Sequence, residues 1–217
     1  MLSHRTAASQ LVTVGSGCRS GDVTIGGQQG TRWQLDDDEG CLDGGGWAAG
    51  GADRGELRAT LSGDGDLLAS LGRVVEVTRS VVGVDGSGLT LAHEDGRPRW
   101  VAVSDAAMEL SEQVQGELGE GPCLAAFAED RVVAVEDLQA GLGWDRIAVV
   151  VRPLGVRGVL SVPVRLADLP VGTLDVYVSQ PRVWTAGEVQ ALAALAVVTA
   201  ELVRAHIAAC CARRRPR

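Results

Sequence analysis

The sequence predicts an α+β domain built on an antiparallel sheet, with helices on both of its faces. Two observations carry that reading. Short β-rich segments come in pairs joined by turn-forming residues, as hairpins do, and helical stripes separate the pairs in the order α-β-β-α-α-β-α-β-β-α. A parallel sheet would need a crossover helix after each strand, and this order lacks them. Length agrees, since 217 residues supply one ordinary core with flanking segments.

The elements follow in order. Leu67, Leu71, Val74, Val75, Thr78 and Val82 share one helical stripe that ends at Gly83. Leu89 to His93 and Trp100 to Ser104 alternate as strands, joined by Glu94-Asp95-Gly96-Arg97-Pro98. Ser104 and Asp105 are suited to cap a helix reaching about Gln115, with Met108, Leu110 and Val114 as its apolar positions. A glycine-interrupted loop leads to Pro122, which is placed to start a short helix through Phe127. Arg131 to Val135 reads as a strand, Gly141 to Trp144 as a loop, and Asp145 to Leu154 as a short helix stopped by Pro153 and Gly155. Val156 to Leu166 and Val171 to Val178 form a second hairpin across Ala167-Asp168-Leu169-Pro170. Thr185 and Glu188 have the spacing of a capping box, and Val189, Leu192, Leu195, Ala196, Thr199, Leu202 and Val203 continue as a long helix.

The flanks differ in kind. Residues 1–61 hold 13 of the 29 glycines, the acidic run Asp36 to Glu39 and no sustained period, so they are expected to be disordered. Residues 206–217 form a short tail carrying Arg213, Arg214, Arg215 and Arg217, read as a solvated end. The folded body is thus expected over residues 62–205.

Composition narrows function. A net charge of −8 weighs against nucleic acid as the main partner. The longest unbroken apolar run, Ala191 to Val198, is too short for a membrane span, and the first twenty residues lack the apolar core of a secretory signal. A cytoplasmic protein is expected. The absence of lysine and asparagine points to a GC-rich bacterial genome and excludes lysine Schiff-base chemistry. Cys18, Cys41, Cys123, Cys210 and Cys211 form no CxxC pair and no metal-ligand spacing, so neither a disulfide framework nor a metal site is expected. No Ser-His-Asp set, Walker-type loop or dinucleotide fingerprint occurs, and no catalytic residue is assigned.

Three stretches resemble the GAF domain family of small-molecule-sensing regulatory modules. They are Glu117-Leu118-Gly119-Glu120-Gly121-Pro122-Cys123 with Leu124, then Asp137-Leu138 followed by Trp144, then Gly155 to Val164 leading to Gly172-Thr173-Leu174-Asp175-Val176-Tyr177. The similarity is greatest to the GAF domains of bacterial GAF-ANTAR regulators, although only about a dozen residues follow position 205, too few for the RNA-binding ANTAR output. The resemblance implies a GAF-like antiparallel sheet of five or six strands. It also implies a ligand site between the sheet and the short helices, and pairing of two protomers through the terminal helices. On that layout Leu118, Cys123, Trp144, Ile147, Val151 and Leu160 are the ligand-lining candidates, each equally suited to simple core packing.

Cys123 carries a second reading. Near the first turn of a helix, the free amides and the helix dipole would lower a thiol pKa, which makes it a redox candidate. Free methionine sulfoxide reductases, one group of GAF proteins, place a cysteine in a comparable loop, but they resolve it with another cysteine of the same domain. The plain alternative is a small residue packing the loop onto the sheet. His93 as a haem ligand and Cys123 as a bilin anchor are both disfavoured, the latter because Leu124 follows where phytochrome-type domains have histidine. The expectation is a sensory or regulatory homodimer with an unidentified small-molecule ligand, a separate output protein and no catalysis of its own; a Cys123-dependent redox enzyme is the rival.

Overall fold

The computed structural model describes residues 11–15, 22–26, 67–93, 96–141 and 143–214. Strands β1 (Leu11–Gly15) and β2 (Asp22–Gly26) pair antiparallel within the segment expected to be disordered. The remainder of that segment, with Trp33 and Trp47, lies outside the described residues, as do Glu94 and Asp95 of the first hairpin's turn and the last three residues of the tail.

The domain proper runs through α1 (Leu67–Val82), β3 (Gly86–Ala92), β4 (Pro98–Val103), α2 (Ala106–Leu118), α3 (Pro122–Glu129), β5 (Val133–Val135), α4 (Asp145–Val151), β6 (Gly158–Leu166), β7 (Leu169–Val178) and α5 (Ala186–Arg214). Five strands form one sheet in the order β4-β3-β7-β6-β5, antiparallel at each pairing. The α+β expectation therefore holds, with five strands.

Strand geometry places alternate residues on opposite faces. On one face Leu89, Leu91, Leu160, Val162, Leu174 and Val176 pack against Leu71, Val74 and Val75 of α1 and Leu192, Leu195 and Val203 of α5. On the other, Val159 and Tyr177 join Met108 and Val114 of α2, Ala126 of α3 and Ile147 and Val151 of α4 in a second core.

Local chemistry accounts for the ends of the elements. The second hairpin is tighter than expected, with Ala167 and Asp168 alone at the turn, Ala167 at φ 51° and strand pairing down to Leu166 and Leu169. Pro170 is tolerated inside β7 because pairing to β3 begins only at Gly172, so its missing N–H faces an unpaired side. At the start of α5 the capping box forms as expected: Thr185 N donates to Glu188 Oε2 at 2.7 Å and Glu188 N to Thr185 Oγ1 at 3.3 Å.

Ala186–Cys210 is, by length and composition alone, apolar enough to cross a membrane, with a mean hydropathy of 1.6. The expectation that no segment would be long enough considered unbroken runs only. In the fold, Leu192, Leu195, Ala196, Thr199, Leu202 and Val203 of this helix are buried inside the domain, as in a core helix.

Candidate functional site

A polar stripe crosses the middle of the second face. Cross-strand register sets Thr90 opposite Thr173, and Gly88 and Ser161 on either side of Asp175. Helix α2 lies directly over this stripe. Its N-terminus is tied down by Asp105, whose Oδ1 accepts from Ala107 N at 2.9 Å, Met108 N at 3.0 Å and the Tyr177 hydroxyl at 3.0 Å. Burial alone would raise the Asp105 pKa, but bonds from Ser104, Met108, Tyr177 and Ala107 hold it below the ordinary value. Gly88 permits the close approach of the helix, because a Cβ there would come within 2.8 Å of Met108 and 3.6 Å of Glu112.

The buried stripe of α2 is Met108, Ser111, Glu112, Val114 and Gln115, so three of its five inward residues are polar. Leu110, expected among the apolar inward positions, is 37% exposed. Gln115 Oε1 accepts from Cys123 N at 3.0 Å and so fixes the start of α3. Gly121, at φ 141°, occupies backbone space that favours glycine, and a Cβ there would strike the Gln115 side chain at 2.3 Å. The Glu120-Gly121-Pro122-Cys123 loop is thus shaped to deliver one side chain. Cys123 Sγ donates to Glu112 Oε2 at 3.2 Å.

Glu112, Cys123 and Asp175 converge from α2, α3 and β7, with one donor atom of each within 4.8 Å of the others. Their exposures are 4%, 2% and 1%. Thr173 Oγ1 donates to Asp175 Oδ2 at 2.7 Å and lies 2.7 Å from Thr90 Oγ1. Glu112 Oε1, Asp175 Oδ1 and Ser161 Oγ are buried without a hydrogen-bond partner of good geometry. A cavity of about 300 Å³ adjoins the cluster, with Thr90, Glu112 and Cys123 among its lining and Pro98, Arg99 and Trp100 of β4, Gln113 and Gly116 of α2 and Leu124 of α3 completing it.

Burial dominates the electrostatics. It pushes Asp175 up to about 7, against the nearby Ser161 and Thr173 hydroxyls, which favour the charged form. Glu112 is raised well above the usual carboxylate range by burial and then by the charge of Asp175. The Cys123 thiol is likewise pushed up, first by burial and then by both carboxylates. The sequence-based expectation of a lowered thiol pKa is therefore corrected. A helix-start amide does favour the thiolate, but two acidic neighbours in a desolvated pocket outweigh it, and the thiol is neutral.

The ligand candidates read from sequence separate into three groups. Cys123 borders the cavity. Ile147 and Val151 are core residues of the second face, Leu118 and Trp144 pack against that core, and none of the four lines the cavity. Leu160 lies on the opposite face, packed with α1 and α5, because the register of β6 turns Ser161 and not Leu160 toward the short helices. Sequence reasoning missed Glu112, Asp175, Thr90 and Thr173. The usable signal was a carboxylate and a threonine two apart in an otherwise apolar strand, Gly172-Thr173-Leu174-Asp175-Val176.

These features define a sheet-and-helix module with a polar pocket on one face and long terminal helices on the other. Residues 66–202 match the model of the GAF domain, and the chain belongs to that family, a general sensory and regulatory fold. The chain is similar to the domain of a putative two-component sensor histidine kinase from Sinorhizobium meliloti, with 13% identity, TM-score 0.57, and 67% of this chain and 95% of that one covered. It is also similar to free methionine-R-sulfoxide reductase from Neisseria meningitidis, solved with its substrate, at 18% identity and TM-score 0.56 over 72% and 89% of the two chains. The blue-light-absorbing form of the GAF domain of Thermosynechococcus elongatus PixJ gives 24% and 0.51 over 68% and 91%. Among curated protein sequences none matches. At these identities the structural likeness speaks for the fold alone.

Proposed function

We propose that the chain is a sensory or regulatory module of bacterial signal transduction, cytoplasmic and without catalysis of its own, which takes a small molecule into the cavity between β4, α2 and α3. The observation that carries this reading is that cavity, about 300 Å³ in volume and bordered by buried polar groups. The Glu117 to Leu124 loop, whose likeness is to the GAF-ANTAR regulators, supplies Cys123 and Leu124 to its wall. The neutral, buried thiol argues against a Cys123-dependent redox enzyme, since the thiolate is the reactive form.

The output runs through the other face. Leu68 and Val81 of α1 and Val197 of α5 are exposed apolar residues, and they support a homodimer formed by the terminal helices. Ligand binding under α2 shifts the packing of the sheet against those helices and so biases the dimer or a separate output protein.

Native mass spectrometry of the full chain tests the pocket. A retained organic molecule is expected, and it should be lost on Gly116→Met, which fills the cavity from a helical position where an added Cβ meets nothing within 4 Å. A ligand bound equally well by that variant places the site elsewhere. For the dimer, light scattering should show two chains per particle and Val197→Glu should shift them to one; a monomeric parent protein removes this part of the proposal.

A further inference from the structure

We propose that Glu112, Cys123 and Asp175 form a binding site for a divalent zinc-type metal ion, with the adjoining cavity as its route of entry and as the place of its open coordination position. The argument starts from unmet bonding capacity. Two of the four carboxylate oxygens are buried without a hydrogen bond of good geometry: Glu112 Oε1 and Asp175 Oδ1, the Asp175 carboxylate having the Ser161 hydroxyl nearby. Leaving such groups unpaired is costly, and a cation satisfies both at once. Among the residues lining the cavity Arg99 alone is cationic, and the cluster itself contains none.

The donor set selects the ion. A thiol beside two carboxylates suits zinc and its neighbours, whereas magnesium and calcium take oxygen donors throughout. An organic ammonium would gain little from sulfur, which is why the thiol favours a metal. Three protein donors with a fourth position facing a cavity is the arrangement of zinc sites that exchange water or ligand. Bonds of about 2.0 Å to oxygen and 2.3 Å to sulfur set tetrahedral donors roughly 3.3–3.7 Å apart. Donor atoms already within 4.8 Å therefore need only small side-chain rotations.

The surroundings support the donors. Thr173, itself hydrogen-bonded to Thr90, orients Asp175, and Gln115 holds the Cys123 backbone. On binding, Cys123 Sγ gives up its proton and its bond to Glu112 Oε2, any protonated carboxyl releases its proton to solvent, and no oxidation occurs. Spacings of 11 and 52 residues between the donors explain why a search for close metal-ligand pairs expected no metal.

Cobalt titration of the reduced full chain, followed by competition with zinc, tests the site. One equivalent of Co²⁺ should give a sulfur-to-cobalt charge-transfer band and the visible bands of a four-coordinate ion, both erased by Zn²⁺. Cys123→Ser should abolish the charge-transfer band, while Cys210→Ser and Cys211→Ser should keep it. Glu112→Gln and Asp175→Asn should each weaken binding by more than the roughly 10–100-fold that loss of an outer hydrogen bond costs. Cys123→Ser is nearly isosteric and carries the test if a carboxylate variant fails to fold. Absence of the band, its survival in Cys123→Ser, or wild-type affinity in both folded carboxylate variants overturns the assignment. Stabilisation by ethylammonium without any cobalt band would do so too, in favour of an organic cation. The metal shares the cavity with the small-molecule reading, yet the two fail separately: a cobalt band with no retained organic ligand leaves the metal site standing, and the converse leaves the ligand pocket.

Discussion

The two faces of the sheet are built from the same strands but solve different problems. Toward α1 and α5 the buried residues are mainly aliphatic from Leu67 to Ile207, and the polar ones among them are small hydroxyls such as Ser87 and Thr199, which donate to the Val75 and Leu195 carbonyls. Toward α2 and α3, Thr90, Ser161, Thr173 and Asp175 interrupt the apolar surface, and Glu112, Gln115 and Cys123 close over them. Folding gains little from burying such groups, because each carboxylate loses its water and two of the oxygens receive no hydrogen bond of good geometry in return. The first face is what stability requires. The second is what stability tolerates in return for a site.

Truncation should separate the faces most sharply. Leu195→Ala, at 2% exposure between the sheet and α1, leaves a cavity among aliphatic neighbours and should cost about 2–5 kcal/mol. Urea unfolding of the wild type and of Leu195→Ala, each in the Val197→Glu background as well, measures it. A loss below about 1 kcal/mol would mean that α5 is loosely docked and that the first face is not the stabilising one.

On the second face the sign should reverse. In protein freed of metal with chelator at pH 8, Asp175→Asn removes a buried charge with no cationic partner among the described residues, and stability should rise by about 1–2 kcal/mol. The amide remains within reach of the Thr173 hydroxyl and the nearby Ser161. Thermal unfolding of the two proteins side by side decides it, and a destabilised variant would show that the carboxylate is held by interactions stronger than its desolvation. With zinc present the order should invert, since bound metal stabilises only the protein that can hold it.

The same contrast explains how much was legible in the sequence. Stripes such as Leu67, Leu71, Val74 and Val75 obey a simple period, and the inward faces of α1 and α5 followed from them. Helix α2 was located correctly, but its apolar positions were read as Met108, Leu110 and Val114, and while Met108 and Val114 are buried, the rest of the inward face is Ser111, Glu112 and Gln115 and not Leu110. A period sought only among apolar residues cannot reveal a polar residue that is buried for its chemistry. Leu160 shows the second limit: adjacent strand residues point to opposite faces, and only the pairing of Ser161 with Asp175 reveals which one meets the short helices.

The smallest effect belongs to a carboxylate outside both cores. Asp137, between β5 and β6, accepts from Arg157 Nε at 2.7 Å and Nη2 at 2.5 Å and caps Gln139 N at 3.0 Å. The Arg157 hydrogen bonds, joined by the Gln139 N–H and the Arg157 charge, hold its pKa down to about 2 against the opposing effect of burial. A folded-state pKa below the unfolded value means that the contribution is present above about pH 4 and disappears as pH falls toward 2. Because the pair is partly exposed, Asp137→Asn should cost only about 0.5–1 kcal/mol at pH 7, and less in high salt. Denaturant melts from pH 7 down should show the wild type and the variant converging through that window. If the gap stayed constant to acid pH, the charge of Asp137 and its ion pair with Arg157 would not be what the substitution removes. Here a carboxylate near the surface with an arginine partner is depressed and stabilising, while Asp175, fully buried and with no such partner among the described residues, is raised and costly, so burial set against partners, and not the residue type, decides the sign.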